Sequence, residues 1–190
     1  GNIHESIDRA NRLTEQLLED GAQVVVTDVN PDAVRDLVAR HPSVRAVNDV
    51  DDLVREELDV YSPNALGGAL DEVTVDLLRA RIVCGGANNQ LVSEGHGGTA
   101  ERLRERGITY APDFLVNAGG VIQVSDELHG FDMERARRRT ATIFDHTLEV
   151  LRSADAEDVT PAVAADRLAE RRIAAGGPRP WLPAGEHRDT

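Results

Sequence analysis

Lysine is absent from this chain: all 21 basic residues are arginine, set against 34 acidic residues and a formal net charge of −13. That balance excludes a broad phosphate-binding face for nucleic acid and a basic patch for an anionic membrane surface. Aromatic residues make up only 3% of the sequence, so the core must be built from Val, Leu, Ile and Ala. The single cysteine, Cys84, rules out an internal disulfide and fits a reducing cytosol. No apolar run approaches the roughly 20 residues that a membrane span needs. Gly1 to Asp8 carries neither a basic n-region nor an apolar h-region, so no secretory signal is read and a cytoplasmic location is expected. The six histidines show no ligand spacing. His4-Glu5 opens like a zinc-binding H-E-x-x-H string, but Asp8 stands where its second histidine would be, and no metal site is expected.

What is present is alternation. Leu13, Leu17 and Leu18 lie at helical spacing and stop at Gly21. Gln23 to Asp28 reads as a buried strand, and Asn30-Pro31-Asp32 caps a helix running to Arg40. Val44 to Val47, Leu58 to Tyr61, Ile82 to Cys84 and Ile108 to Tyr110 are further strands. Between them lie helices near Val50 to Glu56, Val73 to Arg79 and Thr99 to Arg106. Strands that alternate with helices across short connections give an α/β layer structure with a parallel sheet. Their continuous apolar character predicts that both sheet faces are covered.

Beyond Gly120 the pattern becomes helical. Met133, Ala136, Thr140, Ile143, Phe144, Thr147, Leu148 and Leu151 keep one face, with Arg135, Arg137, Arg138, Arg139 and Asp145 expected to face outward. Thr160 and Pro161 open a second helix to about Ile173. The expected fold is a Rossmann-like, doubly wound, mostly parallel sheet that lacks its first strand, followed by C-terminal helices. Its expected divisions are an incomplete nucleotide-binding domain over 1–130, helices over 131–175 and a loose tail over 176–190.

Three strand ends carry small or amide-bearing loops: Pro63 to Gly68, Gly85 to Gln90, and Pro112 to Gly120. Ligands of open α/β sheets bind at strand C-termini, where such loops permit close backbone approach; the plainer reading is that Gly and Asn simply make turns. Asp28 closes the Val24-Val25-Val26 strand, where a dinucleotide fold places the acid that accepts bonds from the adenosine ribose and repels a 2′-phosphate. The alternative is that Asp28 merely helps cap the next helix. The glycine turn of such folds is missing: the expected G-x-G-x-x-G falls on Glu5 to Ala10, where only Ala10 is acceptable. Gly1-Asn2-Ile3 is at most a displaced remnant of it.

The strings D-V-Y-S-P-N-A-L-G-G-A-L (59 to 70), I-V-C-G-G-A-N-N-Q-L (82 to 91) and G-I-T-Y-A-P-D-F-L-V-N-A-G-G-V-I (107 to 122) resemble the Glu/Leu/Phe/Val dehydrogenase family, nearest its leucine and valine members. V-V-V-T-D-V-N (24 to 30) and S-D-E-L-H-G-F-D (125 to 132) fit as well, and the resemblance runs from about Leu13 to Ile173. It implies the NAD-binding domain of an enzyme that converts an apolar L-amino acid, water and NAD to a 2-oxo acid, ammonium and NADH. By the same resemblance Asp28 and Val29 would meet the adenosine ribose, and Ala65 and Leu66 would line the cofactor channel. Ala87, Asn88 and Asn89 would lie along the nicotinamide ribose. Asn117 would face nicotinamide and substrate, with Val121 and Val124 bordering the substrate side chain. The family's catalytic lysines and aspartate belong to an N-terminal substrate domain, so no catalytic residue is expected in this chain, and the isolated chain is expected to be inactive. A homo-oligomer is implied for the full-length form. Two other readings stay open: a non-catalytic nucleotide-binding or subunit-interaction module, and a purely structural oligomerisation piece.

Overall fold

The computed structural model describes residues 3–93, 98–128 and 130–176, and side chains from Ala10 onward. A turn remnant at Gly1 and Asn2, and a tail beyond Gly176, lie outside the described residues. The chain divides into two compact units, Gly1–Asp113 and Phe114–Thr190.

The first unit alternates helix and strand as the sequence predicts: α1 (Ile3–Glu19), β1 (Val25–Val26), α2 (Pro31–Arg40), β2 (Arg45–Ala46), α3 (Val50–Val54), β3 (Val60–Tyr61), α4 (Glu72–Leu77), β4 (Ile82–Val83), α5 (Thr99–Glu105) and β5 (Thr109–Tyr110). The strand segments pair over fewer residues than their apolar runs, and all pairs are parallel. They form two sheets, β1-β2 and β3-β4-β5.

Local chemistry sets the helix starts. Asn30 caps α2, its side chain accepting from the main-chain N–H groups of Asp32 and Ala33, with Pro31 inside the first turn. Asp49 and Asp71 cap α3 and α4 in the same way. The core gathers on one side of β3-β4-β5: Tyr61, Val83 and Tyr110 are in register and buried among Val54, Leu70, Val75, Leu78, Leu103 and Ile108. A fully buried Leu or Val in such a cluster contributes about 1.5–3 kcal/mol. The expectation of two covered faces is corrected here. Val60 and Ile82, one residue earlier in the same register, are 47% and 40% exposed. An apolar pair in a strand sends its two side chains to opposite faces, and within this unit the helices bury only one of them.

The second unit is helical: α6 (Asp113–Val116, beginning at the boundary), α7 (Gly119–Glu127), α8 (Met133–Glu157) and α9 (Pro161–Ala174). Helices α8 and α9 pack through Val150, Ala154, Ala164 and Ala165, with Leu115, Val159 and Leu168 against them. Asp158 ends α8 in the left-handed conformation at φ 52°, and Thr160 then caps α9. The N-terminal part of the α8 apolar stripe is open, with Phe144 71% exposed.

Two features differ from the sequence reading. A separate helix, α7, precedes the long one, because Gly130 at φ 77° and the cap Asp132 break the chain between them. Arg135, expected to face outward, turns back instead. Its guanidinium pairs with the buried Asp126 and donates to the Gly130 carbonyl at 2.7 Å, while Asp126 also accepts from the main-chain N–H of Asp132 at 2.7 Å. These contacts employ Asp126 and Asp132 of the S-D-E-L-H-G-F-D string. They hold the α7–α8 turn.

The Arg135 guanidinium, aided by the Asp132 N–H, holds the Asp126 carboxyl below its ordinary range. The main-chain N–H of Thr74 does the same for the Asp71 carboxyl. A carboxylate depressed in the folded state adds stability that is fully present above its unfolded pKa, about 4, and is lost as pH falls through the lowered value. Thermal unfolding should therefore come at a lower temperature at about pH 3 than at about pH 6, and Asp126→Asn should lessen that difference. A melting temperature that holds steady across this window would contradict the role given to these carboxylates.

Candidate functional site

The strand C-termini of the first unit assemble the candidate site. After β1, Asp28 is exposed, and its Oδ1 accepts from the main-chain N–H of Asn30 at 2.8 Å. The cap of α2 is Asn30, not Asp28. The other oxygen of Asp28 has no hydrogen-bond partner among the described residues. Asp28 thus supports the cap only through Asn30 N–H, and its second oxygen is left open at the strand end. Val29 beside it is 97% exposed.

The loops after β3 and β4 are laced to one another. Gly68 N–H donates to the Asn89 carbonyl at 2.7 Å, Leu70 N–H to Gln90 at 2.9 Å, and Ala87 N–H to Pro63 at 3.0 Å. The Asn64 side chain crosses between them, donating to Ser62 and accepting from Gly86 N–H at 2.9 Å. Two glycines exist because of this closeness. A Cβ on Gly85 would lie 2.2 Å from the Pro63 carbonyl oxygen, and one on Gly67 would lie 2.9 Å from that of Asn88. Asn89 takes the left-handed conformation at φ 53°, which asparagine tolerates better than most residues.

Of the residues singled out on these loops, Ala65, Leu66, Asn88 and Asn89 are exposed, whereas Ala87 is buried. The Ala87 methyl is thus part of the interior, and only its backbone lies along the loop. Asn117, Val121 and Val124 belong to the second unit, Asn117 half-buried in the turn before α7 and both valines exposed on it. Residues 5–10, where a glycine turn would align, are helical, inside α1. Burial pushes the Cys84 thiol up, away from the reactive thiolate, as expected of a packing residue rather than a nucleophile.

Sequence reasoning missed Gln90. It closes the loop after β4, is completely buried, and donates from Nε2 to two carbonyls, Gly85 at 2.7 Å and Ala87 at 2.9 Å. The available signal was an amide standing next to Leu91 at the re-entry of the loop into the core.

The family model for Glutamate/Leucine/Phenylalanine/Valine dehydrogenase matches residues 16–175. The chain belongs to this family. Among curated members, a valine dehydrogenase of Streptomyces coelicolor is 55% identical over 171 residues, covering 90% of this chain and 46% of that protein. A leucine dehydrogenase of Bacillus subtilis is 42% identical over 164 residues, covering 86% of this chain and 44% of its own length. The solved L-tryptophan dehydrogenase of Nostoc punctiforme aligns with a TM-score of 0.81 at 36% identity, over 85% of this chain and 48% of that one. The chain thus spans about half the length of the family members it matches. As a dehydrogenase-family domain it is Rossmann-like, with parallel strands whose C-terminal loops include Asp28, Asn64 to Gly68 and Gly85 to Gln90. No helix among the described residues is long and apolar enough to cross a membrane.

Proposed function

We propose that this chain is the NAD-binding half of an L-amino acid dehydrogenase acting on an apolar, branched-chain type of substrate, and that by itself it binds cofactor without turning over substrate. The observation that carries this reading is Asp28: an exposed carboxylate at the end of β1, with one oxygen fixed by Asn30 N–H and the other open. A vicinal ribose diol offers the two donors such a carboxylate accepts, and a 2′-phosphate would meet it charge against charge. The remaining residues fit the rest of a dinucleotide. Two loops pressed together by Gly67 and Gly85 leave Ala65, Leu66, Asn88 and Asn89 at the surface of the strand ends. The pyrophosphate has no glycine turn among the described residues, so binding is weaker than a complete Rossmann domain would give.

When bound, NAD would supply the hydride acceptor for a reaction in which the amino acid and water give a 2-oxo acid and ammonium. The part of this chain is to bind and orient. Asp28 with Val29 fixes the adenosine end and selects NAD over NADP. Ala65, Leu66, Ala87, Asn88 and Asn89 border the nicotinamide end. Asn117 is assigned to the nicotinamide and substrate, and the exposed Val121 and Val124 to the apolar substrate side chain. A homo-oligomeric, cytoplasmic enzyme is the setting proposed for the longer protein.

The test is Asp28→Ala. Charge-assisted bonds to the ribose contribute about 1.5–3 kcal/mol each, so NADH affinity should fall by roughly tenfold or more, while NADPH affinity holds or rises. Equal NADH binding by Asp28→Ala and the parent chain would remove Asp28 from the site.

A further inference from the structure

We propose that Gln90 is a positioning residue that sets the shape of the nicotinamide-side loop. The inference rests on the dinucleotide reading above and adds to it a residue that meets no ligand. Three strand ends meet at this one buried side chain and its backbone. Nε2 donates to the carbonyls of Gly85 and Ala87, bending the loop after β4 around the amide. The main-chain carbonyl of Gln90 accepts from Leu70 N–H at 2.9 Å, tying in the loop after β3. Its own N–H lies 3.4 Å from Asp113 Oδ2, and Asp113 is bonded to the Tyr110 hydroxyl at 3.1 Å, tying in the end of β5.

The chemistry of the site calls for this residue type. Two carbonyls converging on one point need two N–H donors, which a primary amide supplies and a carboxylate, thioether or alkyl group does not. The same carbonyls fix which end of the amide is nitrogen. Oε1 is left buried without a hydrogen-bond partner. A buried acceptor left unpaired opposes stability, so an apolar residue of similar size would fill the space without that penalty. What glutamine adds is geometry. With Gly85 and Ala87 held, Asn89 is carried into its left-handed conformation, and Asn88 and Asn89 are the exposed residues between the held points. Asn64 braces the same loop from the other side through Gly86 N–H.

The Gln90 side chain donates only within the loop after β4, whereas Asp28 lies after β1 in the other sheet. The two should therefore separate by ligand. Gln90→Met keeps the length of the side chain and removes both donors. Calorimetric titration of this variant should show the Kd for NADH raised about tenfold, with that for ADP-ribose, which lacks the nicotinamide half, changed less than about twofold. Asp28→Ala should weaken both ligands together. Asn64→Ala, which severs the brace at Gly86 and leaves the interior filled, should give the Gln90→Met pattern in milder form and serves if Gln90→Met does not fold. Equal loss of NADH and ADP-ribose in both loop variants would make Gln90 a stability residue only and overturn the inference, as would unchanged NADH binding. If the parent chain binds neither ligand, the dinucleotide reading itself fails and the inference falls with it; ADP-ribose binding that survives in the loop variants leaves that reading standing.

Discussion

Mixed with NAD and L-valine, L-leucine or L-phenylalanine, the purified chain will form no NADH above the uncatalysed background. The expected loss is the whole of the rate enhancement, which for enzymes runs from about 10⁶-fold upward. Oxidative deamination needs a cation to hold the substrate carboxylate and a group of tunable pKa to activate water. A desolvated lysine can serve in that second role because its pKa falls toward neutrality on burial. This chain has no lysine. Its basic residues are all arginine, whose guanidinium stays protonated at any working pH and cannot accept the proton from water. The chain also spans about half of the dehydrogenases it resembles, the Streptomyces coelicolor enzyme being covered over 46% of its length. Turnover that disappears in Asp28→Ala would contradict this expectation and would place a catalytic group within these residues.

Gly85→Ala should unfold the first unit more readily than any other single methyl added to a described glycine. The new Cβ would sit 2.2 Å from the Pro63 carbonyl oxygen and 2.6 Å from the Pro63 ring, against backbone and a rigid side chain that cannot swing aside. Relief requires β3 and β4 to part just where Ala87 N–H bonds to Pro63 and Cys84 N–H to Tyr61. Overpacking against a fixed backbone costs about 1–3 kcal/mol, with more where hydrogen bonds break. For a domain of this size that lowers the melting temperature by roughly 5–15 °C. Gly119→Ala is the control: nothing lies within 4 Å of its added Cβ. Similar melting temperatures for the two variants would show that the β3 and β4 loops are not packed as described.

The order of elements was legible because each signal is local. β-branched runs such as Val24 to Val26, an N-cap followed by proline at Asn30-Pro31 and again at Thr160-Pro161, and apolar helical spacing all act within a few residues. What depends on partners distant in sequence was not legible. The open face bearing Val60 and Ile82 cannot be told from a covered one by composition, since both read as apolar strands. Arg135 sits on what reads as the polar side of α8, and only the folded α7–α8 turn brings Asp126 beneath it. The loops of the candidate site were recognisable as strings, but their lacing was not. Gln90 reaches back to Gly85 and Ala87 in its own loop, while its backbone meets Leu70 and Asp113 on two others. Asp28 shows a mixed case. Its sequence position allowed a capping role or a ribose-binding role; the cap itself is Asn30, and Asp28 holds the main-chain N–H of that cap residue.

The direct measurement is a parallel titration of the folded chain with NADH and NADPH, followed by calorimetry. Saturable binding of NADH, with NADPH at least about tenfold weaker, is the expected result, because under the proposed reading the open oxygen of Asp28 would accept from a free 2′-hydroxyl and would repel a phosphate there. Absence of binding by a sample that melts cooperatively, or equal binding of the two cofactors, would contradict the assignment of these strand ends as an NAD site.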